Sequence, residues 1–199
     1  MTLTTRRKRP LDRRTRPEPH RDARLFVIAT EGEKTEKQYF SLFRNRRCQV
    51  KIIASSEGRS APKYVLEQLK KFKKEYQLKG DDELWLMIDV DRWPEGELAA
   101  VPSQSMQNNF FLAVSNPCFE IWLYLHHAST RKKSISSVEM KQMLRDKLGS
   151  YNPSNLDLSQ FVGKVEKAIS RAKKLDIDAA ERWPSSTGTH IYKFVKKVK

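Results

Sequence analysis

The residues best suited to chemistry are carboxylates, gathered in three places. In Ala29-Thr-Glu-Gly-Glu-Lys-Thr-Glu36, Glu31, Glu33 and Glu36 crowd around one glycine, Gly32, directly after an apolar run, Leu25 to Ala29. A second acidic pair, Asp89-Val-Asp91, follows the apolar run Leu84 to Ile88. Residues two apart at a strand end point the same way, so Asp89 and Asp91 present two hard oxygen donors together. Such donors suit Mg²⁺ or Mn²⁺, which take carboxylates and water and leave positions open for phosphate oxygens. A third group, Ser115-Asn-Pro-Cys-Phe-Glu120, adds a hydroxyl and a carboxylate after another apolar stretch. Each group also has a plain structural explanation. Acids at a helix start answer the helix dipole, and Thr30 with Glu33 matches a capping box. Asp89 and Asp91 could be turn aspartates, and Asn116 a turn former.

Other chemistries fit less well. Gly32-Glu-Lys-Thr35 lacks the upstream glycine of a phosphate-binding loop, and its acids would repel phosphate. Local sequence places no base beside Cys118. His126-His127 lacks ligand spacing and reads as a helix end. Cys48 and Cys118 are far apart, with no zinc spacing and no disulfide framework, which fits a reducing cytoplasm.

The elements that must position these acids alternate between strand and helix. Continuous apolar runs predict buried strands over 25–30, 50–54, 84–90 and 110–114. Helices are expected at about 34–45, from Pro62 to about 76, and from Pro117 to 126 or 127. Residues 92–105, with Pro94, Gly96 and Pro102, look irregular, with room for a short helix at 95–100. The expected fold is α/β: a mostly parallel four-stranded sheet with helices on both faces. In such sheets the carboxyl ends of the strands carry the ligand site, where all three acidic groups fall. After a Lys/Ser stretch, Arg131 to Ser136, helical patterns at about 137–148, 158–174 and 190–199 predict a C-terminal helical segment packed on the sheet. The expected organisation is therefore a basic arm over 1–23, an α/β domain over 24–130 and a helical segment over 131–199.

Charge narrows the partners. The 199 residues carry a net charge of +15, which favours nucleic acid through phosphate neutralisation. Residues 1–24 hold nine Lys/Arg and three Asp/Glu, a net of +6, which leaves +9 for the rest. The Pro-broken arm, with Arg6, Arg7, Arg13 and Arg14, is polar enough to stay unfolded and to touch phosphates; a solvated tail explains it equally well. No apolar run is long enough to span a bilayer, and the N-terminus has no secretory h-region.

A glutamate after the first strand and an Asp-x-Asp after a later one resemble the Toprim pattern of topoisomerases, primases and overcoming-lysogenization-defect nucleases. The longer motifs Ala29 to Phe40, Asp89-Val-Asp91, Ser115-Asn-Pro-Cys-Phe-Glu-Ile-Trp-Leu123 and Trp183-Pro-Ser-Ser-Thr187 resemble the RloB-like family over residues 24–199. That resemblance implies a Toprim-like fold and a metal-dependent nuclease of bacterial or archaeal phage defence, with an ATPase partner. It implies Glu31 as the Toprim glutamate and Asp89 and Asp91 as metal ligands. Glu36 or Glu33 would be a further ligand, with Ser115 and Glu120 as later ones. Lys173 or Lys174 would stabilise the transition state. The implied chemistry is two-metal phosphodiester hydrolysis with Mg²⁺ or Mn²⁺. A non-catalytic nucleic-acid sensor or adaptor for an ATPase fits the same charge pattern, and an oligomer is compatible with it. A primase would need nucleotide binding, and a topoisomerase would need strand-gating domains too large for this chain.

Overall fold

The computed structural model of the protein describes residues 23–199, except 33, 44, 46, 55–61, 92, 179 and 180. The arm with Arg6, Arg7, Arg13 and Arg14 lies outside the described residues, as does Glu33.

Five strands form one sheet in the order β2-β1-β3-β4-β5. The strands β1 (Arg24–Thr30), β2 (Cys48–Ala54), β3 (Glu83–Asp89) and β4 (Phe111–Asn116) run parallel. The fifth, β5 (Gly188–Thr189), is antiparallel to β4, so the sheet has one strand more than the sequence predicts. Two residues of strand carry no alternation to read. Helices α1 (Thr35–Phe40), α2 (Pro62–Glu75) and α3 (Glu95–Gln107) connect the parallel strands. The chain then continues through α4 (Glu120–Leu125), α5 (Ser137–Leu148), α6 (Val165–Leu175) and α7 (Ile191–Val198).

Alternation along β1 builds two cores. Leu25, Val27 and Ala29 face α2 and α3, with Leu66, Leu69 and Val101. Phe26 and Ile28 face the other way, into a larger core with Tyr39, Phe40, Trp122, Phe161 and Phe194. Right-handed crossovers dictate this division. The β1–α1–β2 connection steps one way along the sheet; β2–α2–β3 and β3–α3–β4 step back the other way. So α1 covers one face, and α2 and α3 the opposite one. The reversal leaves a crevice between the carboxyl ends of β1 and β3, the switch point where open α/β sheets bind ligands.

Several helix boundaries follow local chemistry. Ser136 caps α5 by accepting the Glu139 N–H, and Gly149, with φ at 73°, ends it in the left-handed region. The expected helix at 158–174 is instead a 3-10 turn, Leu158–Gln160, and then α6, separated at Gly163, where φ is 77°. α1 passes into a 3-10 turn, Ser41–Phe43, and α4 starts three residues after Pro117. α3 runs to Gln107 despite Pro102, held by the burial of Val101 and Ser105.

The last helix is pinned from both ends. Phe194 meets Phe26, Phe40 and Trp85 edge-on at 5.7, 5.3 and 5.3 Å. Near its start, Asp176 accepts a 2.6 Å hydrogen bond from the Tyr192 hydroxyl. Near its end, Lys197 reaches the buried Glu83 at 2.8 Å, which also pairs with Arg24 and accepts from the Trp85 indole. Among the described residues no helix is long and apolar enough to cross a membrane.

His126, at the end of α4, shows how tightly this core is specified. Its Nδ1 lies 2.9 Å from the Trp122 carbonyl, which can only accept, so Nδ1 carries the proton. Nε2 then accepts from the Tyr39 hydroxyl at 3.0 Å. Burial holds its pKa down at about 4 against an ordinary 6.5. The fold thus favours the neutral ring, a contribution that is complete above pH 6.5 and is lost as pH falls towards 4. The loss of stability between pH 7 and pH 5 should be about 2 kcal/mol smaller in His126→Gln than in the wild type, measured by denaturant unfolding at the two pH values.

Candidate metal centre

The crevice between β1 and β3 holds the acids. Glu31, Glu36, Asp89, Asp91 and Glu120 line a single cleft of about 180 Å³, together with Cys118 and Lys141. Three different strand ends supply them. Glu31 follows β1, Asp89 ends β3 and Glu120 opens α4 just past β4. Glu31, Glu36 and Glu120 expose only 9, 8 and 7% of their surfaces, so these carboxylates are walls of the cleft.

Each acid is held by its own contacts. Glu31 spans the switch point: Oε1 accepts the Asp89 backbone N–H at 3.1 Å, and Oε2 accepts the Trp93 indole N–H at 2.9 Å. The Asp91 carboxylate accepts from the Ser137 hydroxyl at the start of α5. Glu120 accepts from the Tyr151 hydroxyl at 3.0 Å and lies 3.8 Å from the Lys141 ammonium. The loop that carries Tyr151 is clamped to α1, because the Pro153 carbonyl accepts from Thr35 and Gln38, each at 3.1 Å. Glu36 folds back over Gly32, whose missing side chain makes the room. A Cβ there would lie 2.3 Å from a Glu36 carboxylate oxygen. Thr30 donates to the Gly32 carbonyl at 2.6 Å, and Lys34 precedes α1 without a side-chain cap, so Thr30 does not cap the helix.

The electrostatics follow from this convergence. Burial pushes the Asp89 carboxyl well above the usual carboxylate range, and Glu31, Glu36, Glu120 and Asp91 push it further. Burial also raises the Tyr151 phenol, with Glu120 adding to the effect, so Tyr151 stays a hydrogen-bond donor. The Cys118 thiol is raised by burial and by Glu120 and Asp89, which leaves it protonated and a poor nucleophile. All the candidate ligands are oxygen donors of the kind that Mg²⁺ and Mn²⁺ take. Among the described residues, no three His, Cys, Asp or Glu side chains stand together as a ready-made coordination shell.

Some expected residues lie elsewhere. Ser115 bonds to Thr189 at 2.9 Å and joins β4 to β5 instead of lining the cleft. Neither Lys173 nor Lys174 lines it; Lys174 borders a separate basic cavity, and Lys173 is exposed on α6. The cation at the cleft is Lys141, together with Tyr151, Trp93 and Ser137 as supports for the acids. Helical periodicity places Lys141 on α5 but gives no sign that α5 starts against Asp91.

A family model described as RloB-like protein matches residues 26–198. The chain belongs to the RloB-like protein family. No curated protein and no solved structure matches it. In this RloB-like chain the family match takes in every element from β1 to α7, and with them all five acids of the cleft.

The contact between Gly32 and Glu36 makes a separable prediction. Gly32→Ala should destabilise the protein by about 1 kcal/mol, because Glu36 must swing out of its place. In a Glu36→Ala background the same change should cost close to nothing. A double-mutant cycle of unfolding free energies measures this coupling.

Proposed function

We propose that the acid cleft is the centre of a metal-dependent nucleic-acid phosphodiester hydrolase of Toprim-like type. The observation that carries this reading is the meeting of five carboxylates from three strand ends at the sheet's switch point, in a chain of net charge +15. Asp89 and Asp91 would hold one Mg²⁺ or Mn²⁺, and Glu31 with Glu36 and Glu120 a second. When bound, such ions lower the pKa of a coordinated water and neutralise charge on the scissile phosphate.

The chain's own groups have distinct tasks. Glu31, fixed by the Asp89 amide and the Trp93 indole, keeps the β1 and β3 ends at a set spacing. Lys141 brings a positive charge to the cleft wall for the negative charge that grows on a phosphoryl group. Tyr151 and Ser137 orient Glu120 and Asp91 by donating hydrogen bonds. Basic residues outside the cleft draw in the strand that the acids by themselves would repel. The cellular setting we infer from the family resemblance is phage defence beside an ATPase partner.

Purified protein with Mn²⁺ or Mg²⁺ should cut single- or double-stranded DNA or RNA, and EDTA should stop it. Asp89→Ala should lower the rate at least about 100-fold, and Lys141→Ala about tenfold. Equal cutting by Asp89→Ala and the wild type would sink the proposal. Salt-dependent binding that EDTA leaves unchanged, with no cleavage, would instead favour a nucleic-acid sensor or adaptor.

A second prediction needs no substrate. Mn²⁺ should raise the melting temperature of the wild type and leave that of Asp89→Asn unmoved, while Asp89→Asn without metal should match or exceed the wild type, having lost a repelled charge. Thermal unfolding with and without Mn²⁺ tests both parts.

A further inference from the structure

A second cavity, of about 510 Å³, lies outside the acid cleft and has the opposite character. Arg131, Lys132 and Lys133 from the segment after α4 line it, together with Arg171 and Lys174 from α6. Among the described residues no carboxylate lines it. Four of its cations, Arg131, Lys133, Arg171 and Lys174, have no carboxylate partner among the described residues. Lys132 is paired with Glu139. Arg171 donates to the Leu125 carbonyl at 2.7 Å, which fixes the guanidinium fork in place.

The walls are joined. The Thr187 N–H donates to the Lys133 carbonyl at 2.8 Å, which holds the basic segment against Ser186 and Thr187. Those two residues bring hydroxyls to the cavity wall, and the Thr187 hydroxyl is buried with no hydrogen-bond partner. Leu175 and Ile177 give the cavity an apolar side, and Ile177 is 88% exposed, so nothing else in the described chain covers it. The four cations without a carboxylate partner repel each other around one hollow, and an anion bound among them removes that cost. The volume is in the range of small-molecule sites, a few hundred Å³.

We propose that this cavity is a nucleotide site. The phosphate is held by Arg131, Lys133, Arg171 and Lys174, and the base or ribose lies on Leu175 and Ile177. The site does not rest on the acid cleft's being a nuclease centre. Its place in the fold suits a strand as well as a free nucleotide. Gly188 pairs with Asn116, so Thr187 lies just past the carboxyl end of β4, on the same sheet edge as Asp89. Two strand spacings, roughly 10 Å, separate β5 from β3. The ligand is therefore a phosphate-bearing nucleotide, either free or at the end of a nucleic-acid strand.

The test uses the full chain in EDTA at constant ionic strength, so that cleavage and metal binding play no part. The probes are AMP, ATP, and a short DNA strand with and without a 5′ phosphate, followed by calorimetry or fluorescence anisotropy. The double variant Arg131→Gln/Lys174→Gln changes exposed side chains and should fold normally. It should bind the preferred probe at least about tenfold more weakly than the wild type. Lys167→Gln/Lys196→Gln, an equal loss of two charges at exposed residues outside the cavity, should bind as the wild type does. Pocket-dependent binding of AMP or ATP assigns a free nucleotide. Binding of the DNA only when it carries the 5′ phosphate assigns a strand end. No saturable binding, or equal weakening by Arg131→Gln/Lys174→Gln and by Lys167→Gln/Lys196→Gln, would overturn the site.

Discussion

Carboxylates held close together against their mutual repulsion are the constraint on which the rest of this structure depends. Two unit charges 4 Å apart repel by about 4 kcal/mol at the effective dielectric of a protein's outer layers. Five acids share one cleft, and Asp89 feels the other four. No local sequence preference would hold them there. They stay because separate parts of the fold grip them one by one. Glu31 is held by a strand amide and an indole, Asp91 by the first residue of α5, Glu120 by a loop tyrosine and a lysine, and Glu36 by the space above a glycine.

The aromatic core beneath the cleft supplies the rigidity for this. Tyr39 lies one helical turn after Glu36 on α1 and touches Phe40, Phe43, Phe119, Trp122, His126 and Phe161. Phe119 directly precedes Glu120. Two of the cleft's acids are therefore placed by the same ring cluster, and the hydroxyl of Tyr39 ties that cluster to the α4 end through His126. Apart from Lys141, the positive charge clustered at the basic cavity lies away from the acids. Basic residues collect on the segment after α4 and on α6, so the basic cavity and the acid cleft occupy different parts of one sheet edge.

Much of this was legible in the sequence where burial is simple. β1 and β3 are continuous apolar runs because both faces are covered, and both were expected within a residue or two. The span of α5 was readable from its helical pattern over 137–148 and the break that follows at Gly149. That Glu31, Asp89, Asp91 and Glu120 share one edge could be read from strand ends, since a parallel sheet brings such ends together; the choice between Glu33 and Glu36 could not. The failures share a cause: tertiary contacts overrode local signals. Pro102 and Gly96 argued against α3, yet packing of Val101 sustains it. Gly163 sat inside an expected helix and breaks it with a positive φ. β5 is too short to show a pattern, and its partner lies about 70 residues away, from Ser115 to Thr189. The basic cavity was missed because its walls, Arg131 to Lys133, α6 and Ser186-Thr187, are separate in sequence, although the first and last had each stood out as unusual stretches.

The position of α7 has a consequence for the order in which this fold can form. Phe194 fills the space against Phe26, Phe40 and Trp85, and Lys197 completes the partners of Glu83 at the foot of β3. On a ribosome, β1, β3 and β4 emerge long before these residues do. The part of the sheet face that Phe194 covers stays open until 191–198 have been made, so the larger core is completed only when synthesis has passed α7. A nascent chain stopped before α7 lacks Phe194 and Lys197, and leaves Phe26, Phe40, Trp85 and Glu83 without those contacts.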